Sequence, residues 1–207
     1  DRSPSRGLGD VYKRQLPGGA ALNNPDSRQI QSIQARLHAI SRTAGRNYEE
    51  LLYYYAIERF LYRLSLSPYR DRFVLKGALI FSAWGVALGR STRDIDFRGY
   101  TPNDIAGLVQ IVREVCLQAV VPDGLWFDPD HIEGEDIREE DKYHGVRLRF
   151  WSLLGHSRVR MQIDIGFSDV VTPADRMIEF PTLLPLPAPI LRSYPPETVV
   201  AEKLQTM

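Results

Sequence analysis

From residue 24 onward, apolar side chains recur at three- and four-residue steps. Ile30, Ile33, Leu37 and Ile40 predict an amphipathic helix that Gly45 ends. Asn47 and Glu50 are spaced as an N-cap pair. They open a second helix with an expected buried face of Leu51, Leu52, Tyr55, Phe60 and Leu64, closed by Pro68. A short extended piece over 73–75 leads to Lys76-Gly77-Ala78, a helix is expected over 78–84, and 93–97 reads as a strand. Thr101 as cap and Pro102 in the first turn predict a further helix. Its apolar stripe is Ile105, Leu108, Val109, Val112, Val115 and Cys116. After a turn at 122–124, residues 125–137 mix aromatic and acidic side chains and suit one or two edge strands. The period then changes to two. Val146, Leu148 and Phe150 alternate with arginines, Gly155-His156-Ser157 turns the chain, and Val159, Met161, Ile163 and Ile165 alternate with Arg160, Gln162 and Asp164.

Helices followed by strands, with one helix among them, predict an α+β (α/β) domain with a largely antiparallel or mixed sheet. The six prolines of 180–196 read as loop, with a short strand near 190–193. Pro195-Pro196-Glu197 then starts a last helix. Residues 1–15 have no apolar period and are similar to translated adaptor read-through, a natural disordered tail being the alternative. The expected division is a non-native or disordered tail over 1–22, a catalytic domain over 23–194, and the start of a truncated helical region over 195–207.

Composition removes several classes. The 26 basic residues balance 26 acidic ones, which excludes a uniformly basic nucleic-acid binder and leaves room for a local basic patch. The single cysteine, Cys116, allows no internal disulfide and fits a reducing cytoplasm. No apolar run reaches the ~18 residues of a membrane span.

The chemistry lies in the acids. On a strand, Asp94 and Asp96 point to one face while Ile95 and Phe97 point to the other. Two carboxylates this close repel unless a cation lies between them, and hard divalent ions take such oxygens together with substrate phosphates. A solvated pair with Arg93 and Arg98 reads the same two residues without chemistry. Asp164 sits on a strand whose other face is apolar, so its carboxylate should face a cleft or water. Gly77, before a helix, would let backbone N–H groups approach a phosphate, with Lys76 in reach of a triphosphate. A simple turn glycine is the plainer reading. His38, His131, His144 and His156 lack metal-ligand spacing, and Cys116 falls on an apolar helix face.

Leu75-Lys76-Gly77-Ala78-Leu79 followed by Arg90-Ser91-Thr92-Arg93-Asp94-Ile95-Asp96-Phe97 resembles the first motif of the AbiEii/AbiGii toxins, nucleotidyltransferases of the polymerase-β superfamily. Ile163-Asp164-Ile165 is similar to the third carboxylate strand, and the run from Tyr194 to Leu204 resembles a later helix of the family that turns Glu202 and Lys203 to the cleft. The likeness covers about 45–207. It implies a polymerase-β-like fold, with a mixed sheet flanked by helices. It implies that Asp94, Asp96 and Asp164 bind Mg²⁺ or Mn²⁺ and catalyse. Lys76, Gly77, Ala78, Ser91, Arg93 and Lys203 would bind a nucleoside triphosphate. The implied role is a cytoplasmic toxin with a separately encoded antitoxin, in abortive infection and phage defence, transferring a nucleotide to an acceptor such as tRNA. Gly77-Ala78 departs from the usual Gly-Gly or Gly-Ser, so no hydroxyl meets the phosphate there.

Arg147, Arg149, Arg158 and Arg160 stand at alternate hairpin positions and suit phosphate contacts or a solvated face equally. Tyr53-Tyr54-Tyr55 suits helix packing or base stacking. Three other classes stay open: a small-molecule nucleotidyltransferase of the antibiotic-modifying kind, a degenerate protein that only binds nucleotide or antitoxin, and a metal-dependent nuclease.

Overall fold

The computed structural model describes residues 26–84, 94–139, 143–167 and 174–199. Helix α1 (Ser27–Ala44) starts where the Asp26 carboxylate accepts from the Arg28 N–H and ends at Gly45, which is left-handed at φ 63°. Only Ile33 and Leu37 of its stripe are buried, so it lies on the outside of the domain. Helix α2 (Tyr48–Leu66) is capped by the Asn47 side chain, which accepts from the Glu49 N–H. The residues expected on its inner face are all buried, and so are Ala56, Ile57 and Leu61. Glu58, Arg59 and Arg63 are buried as well, because α2 runs through the middle of the fold.

After α2 come a 3₁₀ turn (Arg70–Arg72), β1 (Phe73–Lys76), the short α3 (Leu79–Ala83) and β2 (Asp94–Gly99). Helix α4 (Ile105–Cys116) begins later than Thr101 and Pro102 predict. Its cap is Asp104, whose side chain accepts from the Gly107 N–H, and aspartate is the stronger N-cap residue of the two. Strands β3 (Trp126–Phe127) and β4 (Glu133–Glu139) fill the expected edge region. The hairpin is β5 (Tyr143–Leu154) with β6 (Ser157–Gly166), joined by two residues rather than three, since Leu154 already pairs with Ser157. The chain closes with β7 (Arg176–Glu179), which the sequence pattern does not reveal, and β8 (Ile190–Ser193). Helical structure begins again at 196–199.

These eight strands form one mixed sheet in the order β3-β5-β6-β2-β1-β8-β7, with β4 also on β5. Neighbours are antiparallel except β2 with β6 and β1 with β8. The two faces differ sharply. Ile95, Phe97, Val146, Leu148, Phe150, Ile163 and Ile165 point to one side and are buried. Helices cover that side: Phe60 of α2 packs on Phe150 at 5.3 Å between ring centroids. A Cβ at Gly134 of β4 would lie 2.5 Å from Ile105 of α4. On the other side of β2, β5 and β6, Asp94, Asp96, Arg98, Arg147, Arg149, Gln162 and Asp164 are partly exposed.

Charged groups lock α2 to the loops. Arg63 forks onto Asp123, at 2.6 Å (Nη1 to Oδ2) and 3.0 Å (Nη2 to Oδ1), while its guanidinium lies over Phe127. Tyr55 donates to the Asp123 carbonyl at 2.7 Å. Glu58 accepts from the Leu183 N–H at 2.7 Å, and Arg59 donates to the Pro187 carbonyl at 2.9 Å. The proline-rich segment, with few backbone donors of its own, is thus pinned by side chains of a central helix. The Cys116 thiol is buried in the core as expected, and desolvation holds it well above its usual range.

Candidate active site

The open face of the central strands gathers the acids. In β2, Asp94 and Asp96 alternate with buried Ile95 and Phe97. Strand β6 runs parallel beside it, with Asp94 opposite Gln162 and Asp96 opposite Asp164. Pairing residues share a face, so all three carboxylates project from the same side at the level of one strand spacing. Lys76 of β1 pairs with Asp96 from the other direction. Of the residues that sequence singles out, Asp94, Asp96, Asp164, Lys76, Gly77 and Ala78 therefore meet at the centre of the sheet. Ser91, Arg93 and Lys203 lie outside the described residues.

Gly77 occupies the end of β1 in the left-handed region, at φ 70°. A Cβ built there would stand 2.1 Å from Asp96 Oδ2. Glycine is required here for two independent reasons: backbone conformation, and the close approach of a carboxylate. Helix α3 behind it is five residues long and Ala78 gives its start no side-chain cap, so its dipole adds little.

Asp164 has an ionic partner that the sequence reading does not anticipate. Arg147 lies directly across the β5–β6 ladder. Its Nε donates to Oδ1 and its Nη2 to Oδ2, both at 2.7 Å. This carboxylate raises the arginine's already high pKa, with Asp94 and Glu135 adding to the effect. Gln162 donates to Asp164 Oδ2 at 3.3 Å and accepts from Arg149 Nε at 3.2 Å. Arg149 also reaches Glu135 at 2.9 Å, and Arg160 reaches Glu133 at 2.6 Å. Arg147, Arg149 and Arg160 thus have acidic partners on β4 and β6, and both Arg158 and Arg160 lie over the Trp151 ring. A signal for the Arg147 pairing did exist. A two-residue turn at Gly155-His156 puts 147 opposite 164 by counting alone.

Beside Asp94 a cavity of about 950 Å³ opens between the start of α2 and the hairpin. Tyr48, Tyr53, Arg149, Arg160, Glu49 and Glu50 line it, so aromatic, basic and acidic side chains all face it. Tyr54, by contrast, stacks on Phe180 in the core, as the packing reading expects. His38 stacks on Tyr48 and His131 pairs with Asp128. Among the described residues, no three acidic, histidine or cysteine side chains converge as a ready-made metal cage. The donor chemistry of Asp94, Asp96 and Asp164 still suits a hard divalent ion. The Arg147 fork already engages both oxygens of Asp164.

The fold is a mixed sheet flanked by helices, with three acidic side chains on one face of its central strands. The model of the nucleotidyl transferase AbiEii toxin family, type IV toxin–antitoxin system, matches residues 59–207. The chain belongs to that family. Comparison with curated protein sequences finds no match. Among solved structures, two proteins from H. pylori are similar: one assigned as a nucleotidyltransferase and one named JHP933. Each has 17% identity and a TM-score of 0.47 over 76% of this chain. The chain spans 59% and 57% of their respective lengths. Among the described residues no helix is long and apolar enough to cross a membrane.

Proposed function

We propose that this chain is a toxin that transfers a nucleoside monophosphate from a nucleoside triphosphate to an acceptor hydroxyl, with RNA, and tRNA in particular, as the acceptor class. The observation that carries the reading is the β2–β6 register, which sets Asp96 opposite Asp164 with Asp94 on the same face. Asp94, Asp96 and Asp164 would hold Mg²⁺ or Mn²⁺. A divalent ion bound there neutralises phosphate charge and acidifies the attacking hydroxyl.

The chain's own residues do the rest. Asp164 receives the acceptor proton once its carboxylate is oriented toward the hydroxyl. The Gly77 and Ala78 N–H groups hold phosphate oxygens on the β1 side, while Lys76 and Lys203 act as point cations for the triphosphate. Ser91 and Arg93, just ahead of Asp94, complete the nucleotide contacts. The acceptor oxygen attacks the α-phosphate in line and pyrophosphate leaves. Positioning and charge stabilisation supply most of the acceleration, as phosphoryl transfer offers little covalent work.

The cavity beside Asp94 supports an RNA acceptor by residue type: beside Glu49 and Glu50 it offers arginines that suit phosphates and tyrosines that suit bases. A type IV system implies a separately encoded antitoxin, and abortive infection in the cytoplasm is the corresponding biological role.

The test is incorporation of α-labelled nucleoside triphosphates into bulk RNA, with and without Mg²⁺. Asp94→Asn and Asp96→Asn should each lower incorporation at least about a hundredfold, the scale of losing a principal electrostatic contact. Wild-type rates in Asp94→Asn would refute the assignment. Label moving to a small molecule and not to RNA would replace the acceptor class and leave the chemistry standing.

A further inference from the structure

The open face has a charge problem that its own arginine resolves. Asp96 and Asp164 stand opposite each other on neighbouring strands, roughly 4.8 Å apart at the backbone. Asp94 is two positions along on the same face. Three like charges so near are unfavourable unless a cation joins them. Lys76 stands opposite Asp96 on β1, and Arg147 supplies a cation to Asp164 in a specific way: its fork engages both carboxylate oxygens at 2.7 Å. A divalent ion needs lone pairs of that same carboxylate. Guanidinium and ion therefore compete for one ligand.

The competition can be resolved because the pair is accessible. The side chains are 30% (Arg147) and 17% (Asp164) exposed, so opening the fork does not strand a charge in a dry interior. A second acid is also within range of the released cation. Glu135, which also takes Arg149 at 2.9 Å, stands opposite Arg147 across the other edge of β5, and Asp94 and Glu135 both contribute to its field.

We propose that Arg147 is the exchangeable counter-ion of the metal site: it holds Asp164 before loading, yields that carboxylate to the incoming divalent ion, and turns toward Glu135. This rests on the metal-binding reading above, and makes Arg147 a positioning residue acting through Asp164.

The exchange predicts an effect of unusual sign. Removing a ligand-side contact of a metal site normally weakens the ion. Removing a competitor tightens it. Mn²⁺ binding to the full chain, followed by electron paramagnetic resonance without nucleotide, reads this directly. Arg147→Gln should bind Mn²⁺ about one-and-a-half- to fivefold more tightly than wild type, the scale of a partly exposed ion pair released. Arg147→Lys keeps the charge and loses the fork, and should fall between the two. Without metal, Arg147→Gln should melt at a lower temperature than wild type, and saturating Mn²⁺ should close the gap.

Unchanged or weaker Mn²⁺ binding in Arg147→Gln, with binding lost in Asp94→Asn, overturns the exchange and leaves the metal site intact. Wild-type Mn²⁺ affinity in both Asp94→Asn and Asp164→Asn overturns the metal site itself, and the exchange with it. If Arg147→Gln does not fold, Arg147→Lys carries the test: affinity equal to or below wild type refutes the exchange.

Discussion

At the scale of single residues, Gly77 has the least freedom to vary. Its φ of 70° is strained for any L-residue, and its missing Cβ is the space that Asp96 Oδ2 occupies. Gly77→Ala should cost about 1–3 kcal/mol from backbone strain alone, read as a lower urea midpoint. Activity should fall further than stability does, because the added methyl displaces Asp96. A variant with wild-type midpoint and rate would show that the close approach does not matter. The glycine was legible in the sequence as a turn beside a candidate phosphate site. That it also makes room for a carboxylate was not, since the contact joins β1 to β2 through tertiary pairing. Arg147 teaches the converse. Its partner follows from counting across a two-residue turn, and reading the turn as three residues hides it.

At the scale of elements, α2 is the beam on which the site is hung. Its amphipathic pattern predicts one buried face, yet three charged residues are buried too. Each has a tertiary reason: Arg63 takes Asp123, Arg59 the Pro187 carbonyl and Glu58 the Leu183 N–H. Breaking a buried pair by removing one partner strands the other charge, at about 3–5 kcal/mol. Asp123→Ala should therefore destabilise on that scale in denaturant unfolding, whereas Arg46→Ala, which deletes an exposed pair with Glu50, should change stability by about 0–1 kcal/mol. Equal effects of the two would mean that burial does not set the value of these pairs. Helix α4 illustrates the limits of local signals. Pro102 and Thr101 are good start residues, but Asp104 begins the helix because its carboxylate reaches the Gly107 N–H.

For the whole molecule, Glu58 links stability to pH. Burial pushes its carboxyl up from the ordinary 4.5 to about 8, against the pull of Arg59 and the Leu183 N–H. Between those values the folded chain keeps a proton that the unfolded chain releases. Stability from this group is therefore fully present below about 4.5 and is lost as pH rises toward about 8. Glu58→Gln cannot ionise, so the fall in urea midpoint between pH 5.5 and pH 8.5 should be smaller than in wild type. A slope as steep in the variant would place the titration elsewhere. The sequence by itself determined the local elements: the helical periods of α1 and α2, the alternation of β5 and β6, and the placing of Asp94, Asp96 and Asp164 on strands with an apolar reverse face. These depend only on periodicity and turn chemistry between near neighbours. Tertiary structure alone decided that β2 and β6 lie side by side and parallel, that Asp96 faces Asp164, and that β7 and β8 extend the sheet. Pairing of distant strands is settled by packing of the whole buried face, and no single segment carries that information.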